Sequence, residues 1–569
     1  MGSTRALLRV LILLVVLSMV AAACTGGGDD PDGGDGSETT EGGGGGGTGT
    51  SPDTETLSTF IVEPEALMPT NSNESEGNAV LDALCTTLVE YDPETTEPIN
   101  AHAESIESDD LTTWTIKIKE GWTFHNGDPV TAQSYVDSWN YAAYGPNAQG
   151  TSSFFGNIEG FADVNPEDPD GEGPEEAPEP KSETMSGLKA VDDTTLEVTL
   201  SDAFPQFPLT IGYEAFCPMP QAAFDDPEAF NEQPILNGPF MMDGPWEHQQ
   251  AIKTVAFEEY QGEDKAQVPG FEFRIYADQG TAYNDFVDGS LDIMDELPPE
   301  HIATAEEEFG DQYGESPDSG YNYIGFPLYD KQFADKTLRQ ALSLAIDRES
   351  IVETIFSGGR LPADSFISPV IPGYRENACP DTVAFNPEKA KQLYEEAGGL
   401  KTPVTVWFNT GGGHAEWVEA VTNGWTEVFE LDPSANNFEF RSLGFDQYLG
   451  LGDEKGFTGP FRLGWGMDYP SPQNYLEPLW GSQSTPPGGS NSSFFSNKEF
   501  DDLIAEGNKQ DSLEEGIPFY QQAEDILCDE MPGIPIHFGV NQYLHSPRVE
   551  GLKVDAFGNI NYSGITIVE

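Results

Sequence analysis

Leu111 to Ala142 reads LTTWTIKIKEGWTFHNGDPVTAQSYVDSWNYA, and this stretch sets the class of fold. Apolar and polar residues alternate from Leu111 to Lys119, which predicts a strand. Gly121 to Asp128 is rich in turn residues, and Thr131 is a good N-cap for a helix from Ala132 to about Ala142. The same alternation of types continues outward. Thr194–Leu200, Phe271–Ala277, Tyr321–Phe326, Val404–Phe408, Phe438–Ser442, Phe461–Trp465 and Ile534–Phe538 read as strands. Lys336–Ile355 reads as one amphipathic helix, with Leu338, Ala341, Leu342, Ala345 and Ile346 on its apolar side. Further helices are predicted from Pro387 to Ala397, stopped by Gly398-Gly399, and over Trp417–Phe429, Phe500–Gly507 and Pro518–Asp529. Val164–Glu183 is acidic and proline-rich, hence a surface loop. No internal repeat is present. Strands alternating with helices argue an α/β protein.

The chain has 569 residues, 25 Lys+Arg and 99 Asp+Glu, for a formal charge of −74. Such a surface excludes a nucleic-acid binder that works by neutralising phosphates. Hydrophobic residues make up 37 % and aromatics 11 %, enough for packed cores. Single cores stop growing near roughly 250–300 residues, so two or more lobes are expected. The acidic excess costs stability through self-repulsion, which salt relieves.

The N-terminus reads as an export signal over residues 1–23. Arg5 and Arg9 give a positive start, Ala6 to Met19 is otherwise an almost unbroken apolar run, and Ala21-Ala22-Ala23 and Cys24 follow. A Cys directly after small residues resembles a bacterial lipobox, with Ala21 where leucine is usual. The resemblance implies that Cys24 becomes the lipidated first residue. Residues 24–56 are then a flexible tether of Gly, Asp, Ser and Thr. Its run Gly42–Gly47 has no following Lys and no preceding strand, so it is not a phosphate loop. Cys85, Cys217, Cys379 and Cys528 remain. In an oxidising compartment two disulfides are expected, and four cysteines allow three pairings. Without a CxxC no structural zinc site is expected, and no other metal or cofactor is called for.

Catalytic constellations are missing. None of the seven histidines stands in HExxH spacing, no GxSxG elbow occurs, and no Cys/His pair reads as nucleophile and base. His414 follows three glycines and reads as an exposed loop residue. Acid pairs such as Asp501-Asp502 reflect the composition and say little for a glycosidase. An exported binding protein fits better than an enzyme.

Five segments sharpen this. They are Trp122–Ala132 (WTFHNGDPVTA) with Val136 and Ser138-Trp139, Leu338–Arg348 (LRQALSLAIDR), Asn386–Lys391 (NPEKAK) with Glu396-Ala397-Gly398, Arg462–Pro470 (RLGWGMDYP), and Met531–Pro535 (MPGIP). In this order, across nearly the whole body, the chain resembles the extracytoplasmic solute-binding proteins of peptide ABC transporters, the oligopeptide- and dipeptide-binding family 5. The resemblance implies a type II, two-lobed periplasmic-binding-protein fold with an extra subdomain, a hinge and a ligand cleft between lobes. Lobe I would span 57–322 and lobe II 323–540, with 541–569 returning to lobe I. The crossing would fall near Tyr323–Phe326 and the return near Phe538–Tyr543. On that map Cys85 pairs with Cys217, and Cys379 with Cys528.

The resemblance also implies a ligand set. Asp468 would take a peptide's free α-amino group, because an ammonium buried between lobes must be paired. Otherwise Asp468 is a turn residue before Tyr469-Pro470. Arg462 would meet the peptide carboxylate, or else form a surface ion pair. Gly464 and Trp465 would present backbone and an aromatic face to an extended peptide; Trp465 serves equally well as core. Tyr321 and Tyr323 on the crossing strand, and Asn71, Ser72 and Asn73 in an early loop, would face the cleft, against hinge packing and a solvated turn. Gly466 stands where some members have cysteine, which bears on the side-chain pockets. The expected partners are a peptide, membrane permease subunits with a cytoplasmic ATPase, and the membrane through a lipid anchor. The protein would be a monomer on the outer face of the cytoplasmic membrane. Relatives of the fold bind oligosaccharides or nickel chelates instead. From other classes, an exported hydrolase and a ligand-sensing receptor subunit are the alternatives.

Overall fold

The structure, a computed structural model, describes residues 56–568 except 73, 94, 167–177, 411–412 and 487–488. The export signal, Cys24, the tether to residue 55, Asn73 and the middle of the acidic 164–183 loop therefore lie outside the described residues.

A continuous eleven-stranded sheet runs through the molecule. Its spine is two long antiparallel strands, the crossing strand Tyr313–Gly325 and the return strand Gly533–His545. At one end of the spine Met294 pairs with Leu544, and the sheet continues through Leu57–Ile61, Phe271–Ile275, Ala251–Ala256 and Phe240–Met242. At the other end Phe461–Trp465 pairs with the crossing strand, followed by Val404–Asn409 and Phe438–Leu443. Separate cores flank the two ends. Leu57, Val80, Leu84, Phe271 and Ile565 belong to one, and Phe366, Trp417, Trp425, Trp480 and Ile534 to the other.

Both disulfides stay within one core each: Cys85–Cys217 in the first and Cys379–Cys528 in the second. These are the pairings the resemblance implied. The pairing of the two long strands runs from Tyr313↔Leu544 to Pro317↔Val540 and resumes at Tyr321↔Phe538. In the interruption, Asp318 Oδ1 accepts a hydrogen bond from Gly320 N at 2.6 Å. Gly539 is required here, because a Cβ would fall 2.1 Å from Asp318 Oδ2.

A third core belongs to an extra subdomain. Its antiparallel sheet orders Ala103–Glu107, Thr113–Ile118, Thr195–Thr199 and Leu188–Asp192. Trp114, Ile116 and Ile118 are buried, as the alternation predicts. Helix Ala132–Ala143 covers the sheet with Tyr135 and Trp139, whose indole donates to Phe216 O at 3.0 Å. Thr131 occupies its N-cap, with its amide donating to Ser134 Oγ at 3.2 Å.

The long helix predicted over 336–355 is two helices, Lys336–Leu344 and Arg348–Ile355. Asp347 caps the second by accepting from Ser350 N at 3.0 Å. The cause is Arg348. Its buried guanidinium donates to the carbonyls of Pro535 (2.6 Å) and Val383 (2.5 Å) and to Ser343 Oγ (3.0 Å). Breaking the helix lets this one cation satisfy carbonyls that would otherwise be buried without partners.

Candidate ligand-binding cleft

A cavity of about 990 Å³ opens at the spine. Its walls are helix Ser75–Leu84 and the chain after it, Gly212–Cys217, the return-strand residues Val540–Gln542, the segment Asp555–Ser563, and Gly466-Met467 from the other core's side. A smaller recess of about 150 Å³ lies between the extra subdomain and the loop after strand Phe461–Trp465. Phe154, Phe204 and Phe207 line one side of it, Asp468 and Tyr469 the other.

Asp468 is held by a short polar network. Its amide donates to Asn474 Oδ1 at 2.9 Å, and Asn474 Nδ2 returns a bond to Asp468 Oδ2 at 2.8 Å. Trp465 Nε1 reaches the same Asn474 oxygen at 3.4 Å. Ser471 caps helix Pro472–Trp480 and thereby fixes Asn474 in its first turn. Burial raises the Asp468 carboxyl above its usual range, against the pull of the Asn474 amide. Among the described residues no cationic side chain forms an ion pair with it. A half-buried carboxylate with one neutral donor is under-compensated, and a ligand cation can complete it.

Arg462 lies two residues upstream of Gly464 on the same strand face. Its Nη1 donates to Asn409 Oδ1 at 3.1 Å and its Nη2 to Asn322 Oδ1, while buried Nε has no partner. Both acceptors are neutral, so the charge is left without a carboxylate, and burial lowers its pKa to about 10. Gly464 keeps this cation's space, since a Cβ there would lie 3.0 Å from Arg462 Nη2. Arg462 lines neither cavity. Trp465 is half-buried against the second core.

Tyr321 and Tyr323 do not face the cleft. They are 0 % and 2 % exposed, stack on each other at 5.3 Å, and pack with Phe366, Tyr475 and Trp480. The strand register sets this: Tyr321 pairs with Trp465 and Tyr323 with Leu463, so both rings take the face that carries the second core. Asn71 accepts from Gly150 N at 3.0 Å, and Ser72 is fully buried. Gly466 lines the large cavity.

The cavity is dominated by acids that the sequence reading did not single out. Asp82, Glu90, Glu214, Asp295 and Asp555 line it, and among its described lining residues Arg360 is the one Lys or Arg. Burial, reinforced by neighbouring acids, pushes Glu90, Glu214 and Asp295 up to about 7, and burial alone raises Asp555 to about 6. No local pattern betrays these residues, because they come from separate segments of a chain already rich in acids. Among the described residues, no group of three or more His, Cys, Asp or Glu side chains is arranged to hold a metal ion. Nor is any described helix long and apolar enough to cross a membrane.

The comparisons agree with this architecture. The chain is 26 % identical over 518 residues to the Bacillus subtilis oligopeptide-binding protein OppA, covering 88 % of this chain and 90 % of that one. It is 27 % identical over 470 residues to the Escherichia coli periplasmic oligopeptide-binding protein OppA, covering 80 % and 81 %. The unliganded open form of the murein tripeptide-binding protein MppA superposes with a TM-score of 0.77 at 23 % identity, over 91 % of this chain and 98 % of that one. That likeness shows the two-lobed fold. The family model for bacterial extracellular solute-binding proteins, family 5, matches residues 97–487. The chain belongs to the bacterial extracellular solute-binding proteins of family 5, a two-lobed α/β fold with an extra subdomain.

Proposed function

We propose that the protein captures peptides by their free α-amino group at Asp468 and hands them to a membrane permease driven by a cytoplasmic ATPase. The observation that carries this reading is the Asp468 carboxylate, fixed by Asn474 at the mouth of an aromatic recess with no cation of its own. An α-ammonium supplies the missing charge and hydrogen-bond donors. The relatives support the choice of ligand, since both OppA proteins are named for oligopeptides and a Haemophilus influenzae OppA is described in complex with the peptide RPPGFSPFR. Arg462, with its unpartnered Nε, is the second anchor in this reading, for the peptide carboxylate.

Closure accompanies capture. The pairing interruption between Pro317 and Tyr321 is where the spine bends most cheaply, because ladder hydrogen bonds are already missing there. The extra subdomain and the second core's side already touch through Gln206 Nε2 donating to Tyr520 OH at 2.7 Å and through Phe204 against Tyr469. A peptide seated between them adds contacts that exist only in the closed form and so shifts the equilibrium. The lipid on Cys24 and the tether to residue 56 would hold the body near the permease, on the outer face of the membrane.

Calorimetric titration with tri- to pentapeptides, each free and N-acetylated, tests the reading. Free peptides bind and acetylated ones bind far more weakly if Asp468 is the anchor. Equal binding of both moves the anchor elsewhere. No binding of any peptide refutes the peptide reading and turns the search to oligosaccharides and metal chelates.

A further inference from the structure

We propose that the large cavity selects peptides with cationic side chains, lysine or arginine, over neutral ones. This rests on the peptide reading above and adds to it the chemical class of the residues that follow the anchored amine.

The starting observation is a buried carboxylate without a cation, beside a buried acceptor without a donor. Glu214 is 9 % exposed and lines the cavity, with no ion pair and no hydrogen bond from another side chain among the described residues. Beside it, Asn78 is 8 % exposed and lines the same cavity; its Nδ2 donates to Tyr213 OH at 3.0 Å, and its buried Oδ1 has no partner. An unpaired amide oxygen and a carboxylate without a counter-charge, both buried at the wall of a cavity, are costly unless a ligand brings donors and positive charge. Asp82, Glu90 and Asp295, half-buried, stand along the same wall, and none of them has an ion-pair partner among the described residues. Arg360 cannot neutralise them, since it lies at the spine and donates to Gly359 O and Val540 O at 2.7 and 3.4 Å.

The acids are also spread out. They come from helix Ser75–Leu84, the strand Val89–Tyr91, the short turn Glu214–Phe216 and the stretch after strand Ile293–Met294. No three of them converge as metal ligands among the described residues. A set of separated carboxylates along one wall suits an elongated organic cation whose charges sit on flexible stems, as lysine and arginine side chains do. Their raised affinity for protons has the same origin: burial and neighbouring acids disfavour each charge, Glu90 alone of the three feels a cation, that of Lys119, and a ligand ammonium supplies what is missing.

The test compares Ala-Lys-Lys with the same peptide acetylated on both lysine side chains, and with trialanine, by calorimetry in about 1 M NaCl. At that salt the screening length is only ~3 Å, so attraction by the general acidity of the surface is suppressed. Ala-Lys-Lys is expected to bind at least roughly tenfold more tightly than either control, the equivalent of one charge-assisted hydrogen bond. The double variant Asp82→Asn/Glu214→Gln should erase the preference and still bind trialanine. A surface pair, Asp502→Asn/Glu506→Gln, should leave the preference intact. Peptides that all bind with equal affinity overturn the selectivity and leave the peptide reading standing. Spermidine binding in the absence of any peptide binding, or no binding at all, overturns both. The wild-type comparison of lysine with acetyl-lysine decides the matter even if the double variant fails to fold.

Discussion

Asp468→Asn is the most informative single change. The substitution keeps shape and removes charge. Asn474 Nδ2 donates to Asp468 Oδ2 at 2.8 Å, so the new amide must place its oxygen there and turn its NH2 toward the recess. A donor then faces the ligand's ammonium where an acceptor stood. The loss is that of a charge-assisted hydrogen bond, about 1.5–3 kcal/mol, or roughly 10- to 150-fold in Kd. The fold should be unharmed, because the bond from the residue 468 amide to Asn474 Oδ1 at 2.9 Å does not involve the carboxylate. The assay is a double-mutant cycle by calorimetry: wild type and variant, each with trialanine free and N-acetylated. The variant should lose the full factor for the free peptide and less than about threefold for the acetylated one, a coupling of at least ~0.8 kcal/mol. Equal losses for both peptides would refute the anchor and make Asp468 a structural residue.

Three further outcomes are expected. Stability should fall as pH rises from about 4.5 to about 7. Glu90 and Glu214 hold their protons to about 7 in the folded state and release them near their ordinary value when unfolded, so the folded chain binds more protons in that window. The groups that face them are Asp264 and Lys119 at Glu90, and Asp555 at Glu214. Urea midpoints at pH 5 and pH 7.5 check this, and a higher midpoint at pH 7.5 in the Glu90→Gln/Glu214→Gln background than in wild type attributes the slope to these two. Replacing Cys379 and Cys528 by serine opens a closure of 149 residues and should cost about 2–5 kcal/mol in urea unfolding under oxidising conditions, with no cost once the wild type is reduced. The formal charge of −74 should make the thermal midpoint rise between low and molar NaCl; a flat response would show that self-repulsion is not a stability term here.

Much of the fold was legible because its signals are local. The alternation around Trp114 and Ile116, Thr131 at a helix start and Pro387 in a first turn are each decided by a few neighbouring residues. The break at Asp347 was not legible, since periodicity runs through it and only the carbonyls of Pro535 and Val383, far along the chain, draw Arg348 out of line. Tyr321 and Tyr323 show the same limit. Alternation says that two rings share a face, and the pairing with Trp465 and Leu463 says which face. The acidic wall was the least legible part. Asp82, Glu214, Asp295 and Asp555 become special only when the fold removes them from water together, and in a chain with 99 acids nothing marks them beforehand.

The most direct test is a crystal structure of the protein with Ala-Lys-Lys bound. The expected result places the peptide's α-amino nitrogen about 3 Å from the Asp468 carboxylate and the lysine ammonium groups against Asp82, Glu90 or Glu214. A peptide lying in the reverse direction, or one whose amino group meets solvent while Asp468 keeps only Asn474, would contradict both the anchor and the capture mechanism built on it.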